Sequence, residues 1–337
     1  MNLQQRIELL VRLGDYMSSG EKKWTLAKEK AGIQNRWFIP EFVELAVNNI
    51  TQSFLRKETL LEWAQKYDLP DVNKEPKIVG IVMAGNIPLV GFHDLLCVFI
   101  TGHKAYIKLS AKDDVLIKHL ADKIRDWEFS AGEYIRICER LNNCDAYIAT
   151  GSTNSSRYFE YYFGKYQHII RRNKTSVAVL SGTESTGDLE KLSDDVFLFF
   201  GLGCRNVTKL YVPKDFDFVH LLAVFKKYGY LADLNKYKNN YDYNLAIHML
   251  NNRFYMTNGS VLLVEEKSFF SPVSQLNFEY YSDKEYVLSS LNGYPDIQCI
   301  IGNDGIPFGN AQCPAITDYA DGIDTMNFLL RDPDFTD

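Results

Sequence analysis

The 337-residue chain has no CxxC pair among its six cysteines, and no cysteine pair stands at zinc-finger spacing from histidine. That argues against a structural zinc site. It has no excess of positive charge: a net charge of −6 argues against a general nucleic-acid binder and a polybasic membrane-surface protein. It has no long apolar run. The longest, Ile87 to Ile100, is interrupted by His93 and Asp94 and is too short to span a bilayer. The opening stretch, Met1 to Met17, reads as an amphipathic helix with charges inside it and not as a secretion signal, so a cytoplasmic protein with reduced thiols is expected. There is no HExxH, no GxGxxG, no internal repeat and no low-complexity linker.

What is present is a chain for about two domains. Aromatic residues make up 14%, which excludes a disordered chain. The first 65 residues carry apolar residues at helical spacing. From residue 77 the pattern changes to alternating strands and helices. Strands are expected at 77–84, 105–110, 146–151 and 177–182. Helices are expected at 89–100, from Asp113 or Asp114 to Trp127, and at 155–163. Short apolar strands alternating with helices imply a parallel, doubly wound sheet. A second unit is expected from about residue 183. It has helices at 188–198 and 218–228, strands at 206–213, 259–265 and 296–302, a solvated connection at 228–243, and a short helix near 324–330.

Doubly wound sheets bind ligands at the carboxyl ends of their strands. Three such ends carry small or polar residues: Gly85-Asn86, Lys108-Leu109-Ser110 and Gly151-Ser152-Thr153. The last can present backbone N–H groups and hydroxyls to a phosphate, or serve as an ordinary helix cap. Gly201-Leu-Gly-Cys204-Arg205-Asn206 is a sharper feature. Its glycines permit unusual φ values, and the Arg205 cation beside Cys204 favours the nucleophilic thiolate. By residue type alone, a buried inert cysteine is still the plainer reading. The other five cysteines read as small buried hydrophobes. The six histidines are scattered and read as structural.

In order along the chain, Ala84-Gly-Asn-Ile-Pro-Leu89, Gly102-His-Lys-Ala-Tyr-Ile-Lys-Leu-Ser110, Ala149-Thr-Gly-Ser-Thr153, Phe200-Gly-Leu-Gly-Cys204, Phe270-Ser-Pro-Val273 with Asp283-Lys-Glu285, and Ile306-Pro-Phe-Gly-Asn310 form a series. Together they resemble the aldehyde dehydrogenase superfamily, in particular its acyl-CoA reductase branch, similar to the LuxC-type fatty acyl reductases. The resemblance covers residues 77 to 330. It implies an α/β chain of two doubly wound α/β/α domains with the active site in the cleft between them. The helical lead-in and a Rossmann-like cofactor domain would occupy residues 1–182, and a catalytic domain 183–308. The tail, 309–337, would pack on the cofactor domain or on an oligomer partner.

The same resemblance implies that Cys204 attacks the acyl carbon. Asn86 and the Cys204 N–H would hold the oxyanion, a large catalytic term. Lys108 and Ser110 would face the adenosine ribose, and Gly151 and Ser152 the pyrophosphate, of NADPH or NADH. Arg171, Arg172 and Arg205 are candidate phosphate contacts. No metal is implied. Ile170-Arg-Arg-Asn173 stands where the superfamily has its Glu-Leu-Gly-Gly base motif, so the carboxylate that activates water is missing. The cofactor-binding Glu falls near Ser268, with Glu265 and Glu266 close by, and Leu202 replaces a Gln. The expected activity is reduction of an acyl-CoA or other acyl thioester to an aldehyde, with coenzyme A as leaving group, in a homodimer or homotetramer. The alternatives are a hydrolytic aldehyde dehydrogenase, an acyltransferase that uses no nicotinamide, and an inactive binding subunit.

Overall fold

A computed structural model describes residues 1–331, with Thr153 described by its backbone alone. The chain divides into two compact units, Met1–Asn173 together with the segment from Pro314 on, and Lys174–Cys313.

The first unit opens with four helices: α1 (Leu3–Met17), α2 (Lys22–Gln34), α3 (Pro40–Ser53) and α4 (Lys57–Lys66). Asn2 and Gln5 form a capping box that starts α1, and Leu9, Leu10, Leu13 and Met17 make its buried stripe. Then follow β1 (Ile78–Val82), α5 (Phe92–Ile100), β2 (Lys104–Lys108), α6 (Val115–Trp127), β3 (Ile135–Ile137), β4 (Ala146–Thr150), α7 (Thr153–Phe163) and β5 (Gln167–Arg171). α5 is apolar almost all round and buried at every residue except the half-buried His93. All five strands run parallel in the order β3-β2-β1-β4-β5. The order reverses between β1 and β4, the place where such sheets open a crevice for a ligand. The tail, including a closing helix Thr325–Leu330, packs on this unit. His93 bonds the Ile316 carbonyl at 2.8 Å, His103 bonds that of Leu329 at 3.0 Å, and Trp63 donates to the Tyr319 hydroxyl at 3.0 Å.

The second unit contains β6 (Thr175–Val179), α8 (Thr186–Phe197), β7 (Val207–Pro213), α9 (Phe218–Val224), α10 (Asn235–Leu250), β8 (Met256–Thr257), β9 (Leu262–Glu265), β10 (Gln275–Tyr281), α11 (Lys284–Leu291) and β11 (Ile297–Ile301). Its sheet order is β11-β6-β7-β10-β9-β8, parallel except for β8.

The structure departs from the sequence expectations at several places. β6 begins the second sheet and does not close the first, because its register is with β7 and β11. The division therefore falls at 173/174 and not 182/183, and the tail begins at 314 and not 309. The expected solvated connection at 228–243 is instead a 3₁₀ segment, Phe225–Asp233, followed by most of α10. β10 is a seven-residue strand, buried at Leu276, Asn277 and Phe278, where no strand was expected.

Candidate active site

In the first unit, the carboxyl ends of β2, β1 and β4 lie side by side because these strands are parallel neighbours. They carry Lys108 and Ser110, Asn86, and Gly151 and Ser152. Lys108 is exposed, and Asn86 and Ser110 are half-buried. The turn after β1 is tightly built. A Cβ on Gly85 would lie 2.7 Å from Ser110 Oγ, so a hydrogen is the only side chain that fits. Leu89 closes the turn in the left-handed region at φ 58°, and its N–H donates to Asp113 Oδ2 at 2.7 Å. Burial pushes the Asp113 carboxyl up to about 7, against the Leu89 hydrogen bond that pulls it down. After β4, Ser152 caps α7 by accepting from the Ser155 N–H. Gly151 has no room for a Cβ, which would come within 2.8 Å of Phe159.

In the second unit, Cys204 is half-buried in the loop between α8 and β7. Phe199, Phe200 and Gly201 precede it with φ of 54°, 58° and 72°. Left-handed conformation costs a non-glycine residue roughly 1–2 kcal/mol. The two Phe rings are buried, which supplies packing that opposes that strain. Asn206 fixes the loop from within. Its Oδ1 accepts from the Gly203 N–H at 2.8 Å, and its Nδ2 donates to the carbonyls of Leu198 at 2.8 Å and Asp195 at 3.1 Å. Ser176 donates to the Cys204 carbonyl at 3.0 Å. Arg205 donates to the Ala311 carbonyl at 3.4 Å.

Other candidates land elsewhere. Arg171 is buried, donating to Asp94 Oδ2 at 2.5 Å and to Thr325 Oγ1 at 2.8 Å, so it is a core ion pair and not a phosphate contact. Arg172 is exposed beside Glu160. Glu266 pairs with Arg253 at 2.8 Å and accepts from the N–H of Lys267, interactions that hold its carboxyl below the usual range, with the hydrogen bond from Arg253 the largest cause. Glu265 is exposed at the end of β9. Cys97, Cys144 and Cys299 are buried as expected, but Cys138 is half-buried and Cys313 is exposed. Cys313 lies in an irregular segment whose neighbouring Ala311 and Gln312 are buried. Among the described residues, no three His, Cys, Asp or Glu side chains gather to hold a metal, and no helix is long and apolar enough to cross a membrane.

Sequence reasoning gave no role to Asn206, whose side chain organises the Cys204 loop, or to Asp195, whose carboxylate accepts from the Gly309 and Ala311 N–H groups. A signal existed for Asp195. It falls three residues after Leu192 on the apolar stripe of α8, where a carboxylate needs buried partners.

No family model and no curated protein matches the sequence. Solved structures do. An NAD+ complex of an aldehyde dehydrogenase from Bacillus cereus superposes with a TM-score of 0.63 at 13% identity, covering 88% of this chain and 70% of the other. An aldehyde dehydrogenase from Mycobacterium tuberculosis complexed with NAD+ gives 0.60 at 13%, covering 86% and 70%. An NAD-dependent aldehyde dehydrogenase from Sinorhizobium meliloti gives 0.64 at 10%, covering 89% and 70%. The chain has the aldehyde dehydrogenase fold. In this version of the fold the end of β5, Ile170 to Asn173, offers two arginines and no carboxylate, and the carboxylates that meet it are Asp94 and Glu160, each already facing an arginine.

Proposed function

We propose that the protein reduces an acyl thioester, such as an acyl-CoA, to an aldehyde through a thioacyl intermediate on Cys204. The observation that carries this reading is Cys204 in a strained, internally bonded loop of an aldehyde dehydrogenase fold. Strain maintained by surrounding hydrogen bonds is a mark of functional loops.

Cys204 thiolate attacks the acyl carbon and displaces coenzyme A as its thiolate. The Cys204 N–H and the Asn86 side-chain amide are assigned to the oxyanion. The residues present fit a nicotinamide dinucleotide: Gly85 and Gly151 leave no side chain between ligand and backbone, Ser152 sits at a helix start, and Lys108 offers an exposed cation at the neighbouring strand end. Lys108 and Ser110 are assigned to the adenosine ribose, and Gly151 and Ser152 to the pyrophosphate. When bound, that cofactor supplies the hydride that converts the thioacyl carbon to a thiohemiacetal. Collapse of the thiohemiacetal breaks its C–S bond, releases aldehyde and returns the thiolate of Cys204. The stretch Ile170 to Asn173 contributes no carboxylate of its own, and Asp94 and Glu160 beside it face arginines, which favours exchange with a thiol over hydrolysis.

Intact mass after incubation with acyl-CoA tests this reading. Wild-type protein gains one acyl group, Cys204→Ala gains none, and NADPH or NADH clears the adduct as aldehyde. No adduct on wild type across chain lengths, or the same adduct on Cys204→Ala, overturns it. An adduct cleared only by added thiols identifies an acyltransferase instead.

A further inference from the structure

Asp195 is a fully buried carboxylate that the reaction above does not use. It lies in the last turn of α8, and both its oxygens are engaged. Oδ2 accepts from the Gly309 N–H at 2.7 Å, and Oδ1 accepts from the Ala311 N–H at 3.0 Å. Gly309 is left-handed at φ 83°, and a Cβ there would lie 3.1 Å from Lys191 Cβ, one helical turn before Asp195. The turn 309–311 is thus seated directly on α8.

The hydrogen bonds continue into the loop of Cys204. The Ala311 carbonyl accepts from Arg205, the residue after Cys204. Asn206 donates back to the Asp195 carbonyl and accepts from the Gly203 N–H, the residue before Cys204. A closed circuit runs from the Asp195 side chain through 309–311, Arg205 and Asn206 to the Asp195 backbone, with Cys204 inside it. Every member belongs to the second unit.

We propose that Asp195 is a positioning residue that couples the 309–311 turn to the Cys204 loop and so sets the reactivity of that thiol. A carboxylate suits the task because only an ionised acid accepts two N–H groups with two equivalent oxygens. The proposal rests on Cys204 as the reactive thiol, but not on the identity of its substrate. It also carries a pH dependence. Burial lifts the Asp195 carboxyl to about 6, against the two N–H groups that pull it down, and Asp194 on the same helix adds to the rise. Arg205 and Cys313 are the other ionisable groups that face this corner. Protonation leaves an O–H pointing at an N–H, so one of the two bonds is lost in mild acid.

The experiment is alkylation by iodoacetamide, read thiol by thiol through peptide mass, on the full chain. Cys138, half-buried in the other unit, is the internal control. Asp195→Asn mimics the protonated acid. At pH 7.5 it changes the Cys204 rate about fivefold or more in either direction, the scale of one hydrogen bond, and leaves Cys138 unchanged. The gap between variant and wild type closes as pH falls below 6. Arg205→Lys keeps the charge but loosens the bond to Ala311, shifts Cys204 alone in the same sense, and serves where Asp195→Asn does not fold. An unchanged Cys204 rate in the folded variants, a pH-independent gap, or a joint rise at all six cysteines overturns the proposal. The acyl-adduct experiment is separate: no acyl adduct with a selective Cys204 response sinks the reductase and spares the coupling.

Discussion

The guanidinium of Arg171, at the end of β5, donates to the Asp94 carboxylate in α5 at 2.5 Å, and both side chains are almost wholly buried. Thr325, at the start of the closing helix, takes the second nitrogen at 2.8 Å. Three segments distant in sequence are joined at one cation. Removing one member of a buried pair leaves an uncompensated charge, which costs about 3–5 kcal/mol. Asp94→Ala is therefore expected to lower the unfolding free energy measured in urea by that order, and replacing Asp94 and Arg171 together by leucine and methionine is expected to recover much of it. Equal losses in the single and double variants would contradict a charge penalty.

The close approach of Gly85 to Ser110 gives a second expectation. A methyl group at Gly85 meets Ser110 Oγ at 2.7 Å and its Cβ at 2.8 Å, and the backbone of Asp113 stands at 3.1 Å. Ser110 cannot yield without moving the end of β2. Overpacking of this kind costs about 1–3 kcal/mol, so Gly85→Ala is expected to destabilise by that order. It should also weaken nicotinamide dinucleotide binding in calorimetry, since Ser110, assigned to the adenosine ribose, is displaced. Gly85→Ala combined with Ser110→Gly should restore stability more than affinity. Wild-type stability in Gly85→Ala would show that the turn is not as tightly built as described.

The loop of Cys204 gives a third. Gly201, at φ 72°, is the last of three left-handed residues, with the Val196 carbonyl 3.4 Å from where a Cβ would sit. Space is adequate, so the cost of Gly201→Ala is conformational, about 1–2 kcal/mol. The expected result is a modest drop in melting temperature with a larger change in Cys204 alkylation than in alkylation of Cys138. A uniform change at both thiols would place the strain outside the loop.

What the sequence made legible divides along physical lines. The helical lead-in, the three strand ends with Asn86, Ser110 and Ser152, and the loop of Cys204 were all readable. Each is marked by apolar period, a glycine or a capping residue, which are local signals. α10 was not readable, because the residues it buries are Tyr237, Tyr241, Asn244 and His248, while Ile247 and Leu250 face outward. Tyrosine, asparagine and histidine on the inner stripe hide the helical period that hydrophobicity normally reveals. The sheet to which β6 belongs is decided by pairing with β7 and β11, a long-range choice that leaves no local mark. Arg171 read as a phosphate contact because its partner, Asp94, lies 77 residues away.

Asp113 gives the last expectation, and its direction opposes ordinary acid denaturation. Its carboxyl is lifted from an ordinary 3.8 to about 7, chiefly by burial. The native state therefore holds this proton more tightly than the unfolded chain does. Its contribution to stability is complete below pH 3.8 and is lost as pH rises through about 7. Asp113→Asn is neutral at every pH and keeps an oxygen for the Leu89 N–H, so it lacks this dependence. Between pH 5 and pH 8 the wild type should lose roughly 2–3 kcal/mol relative to Asp113→Asn. The variant should compare worst at pH 5 and best at pH 8. Urea unfolding of both proteins at the two pH values measures the difference directly. A gap that stays constant, or that widens in the wild type's favour at pH 8, would mean that Asp113 is ionised in the folded protein throughout and that the turn carrying Asn86 is held by a charge.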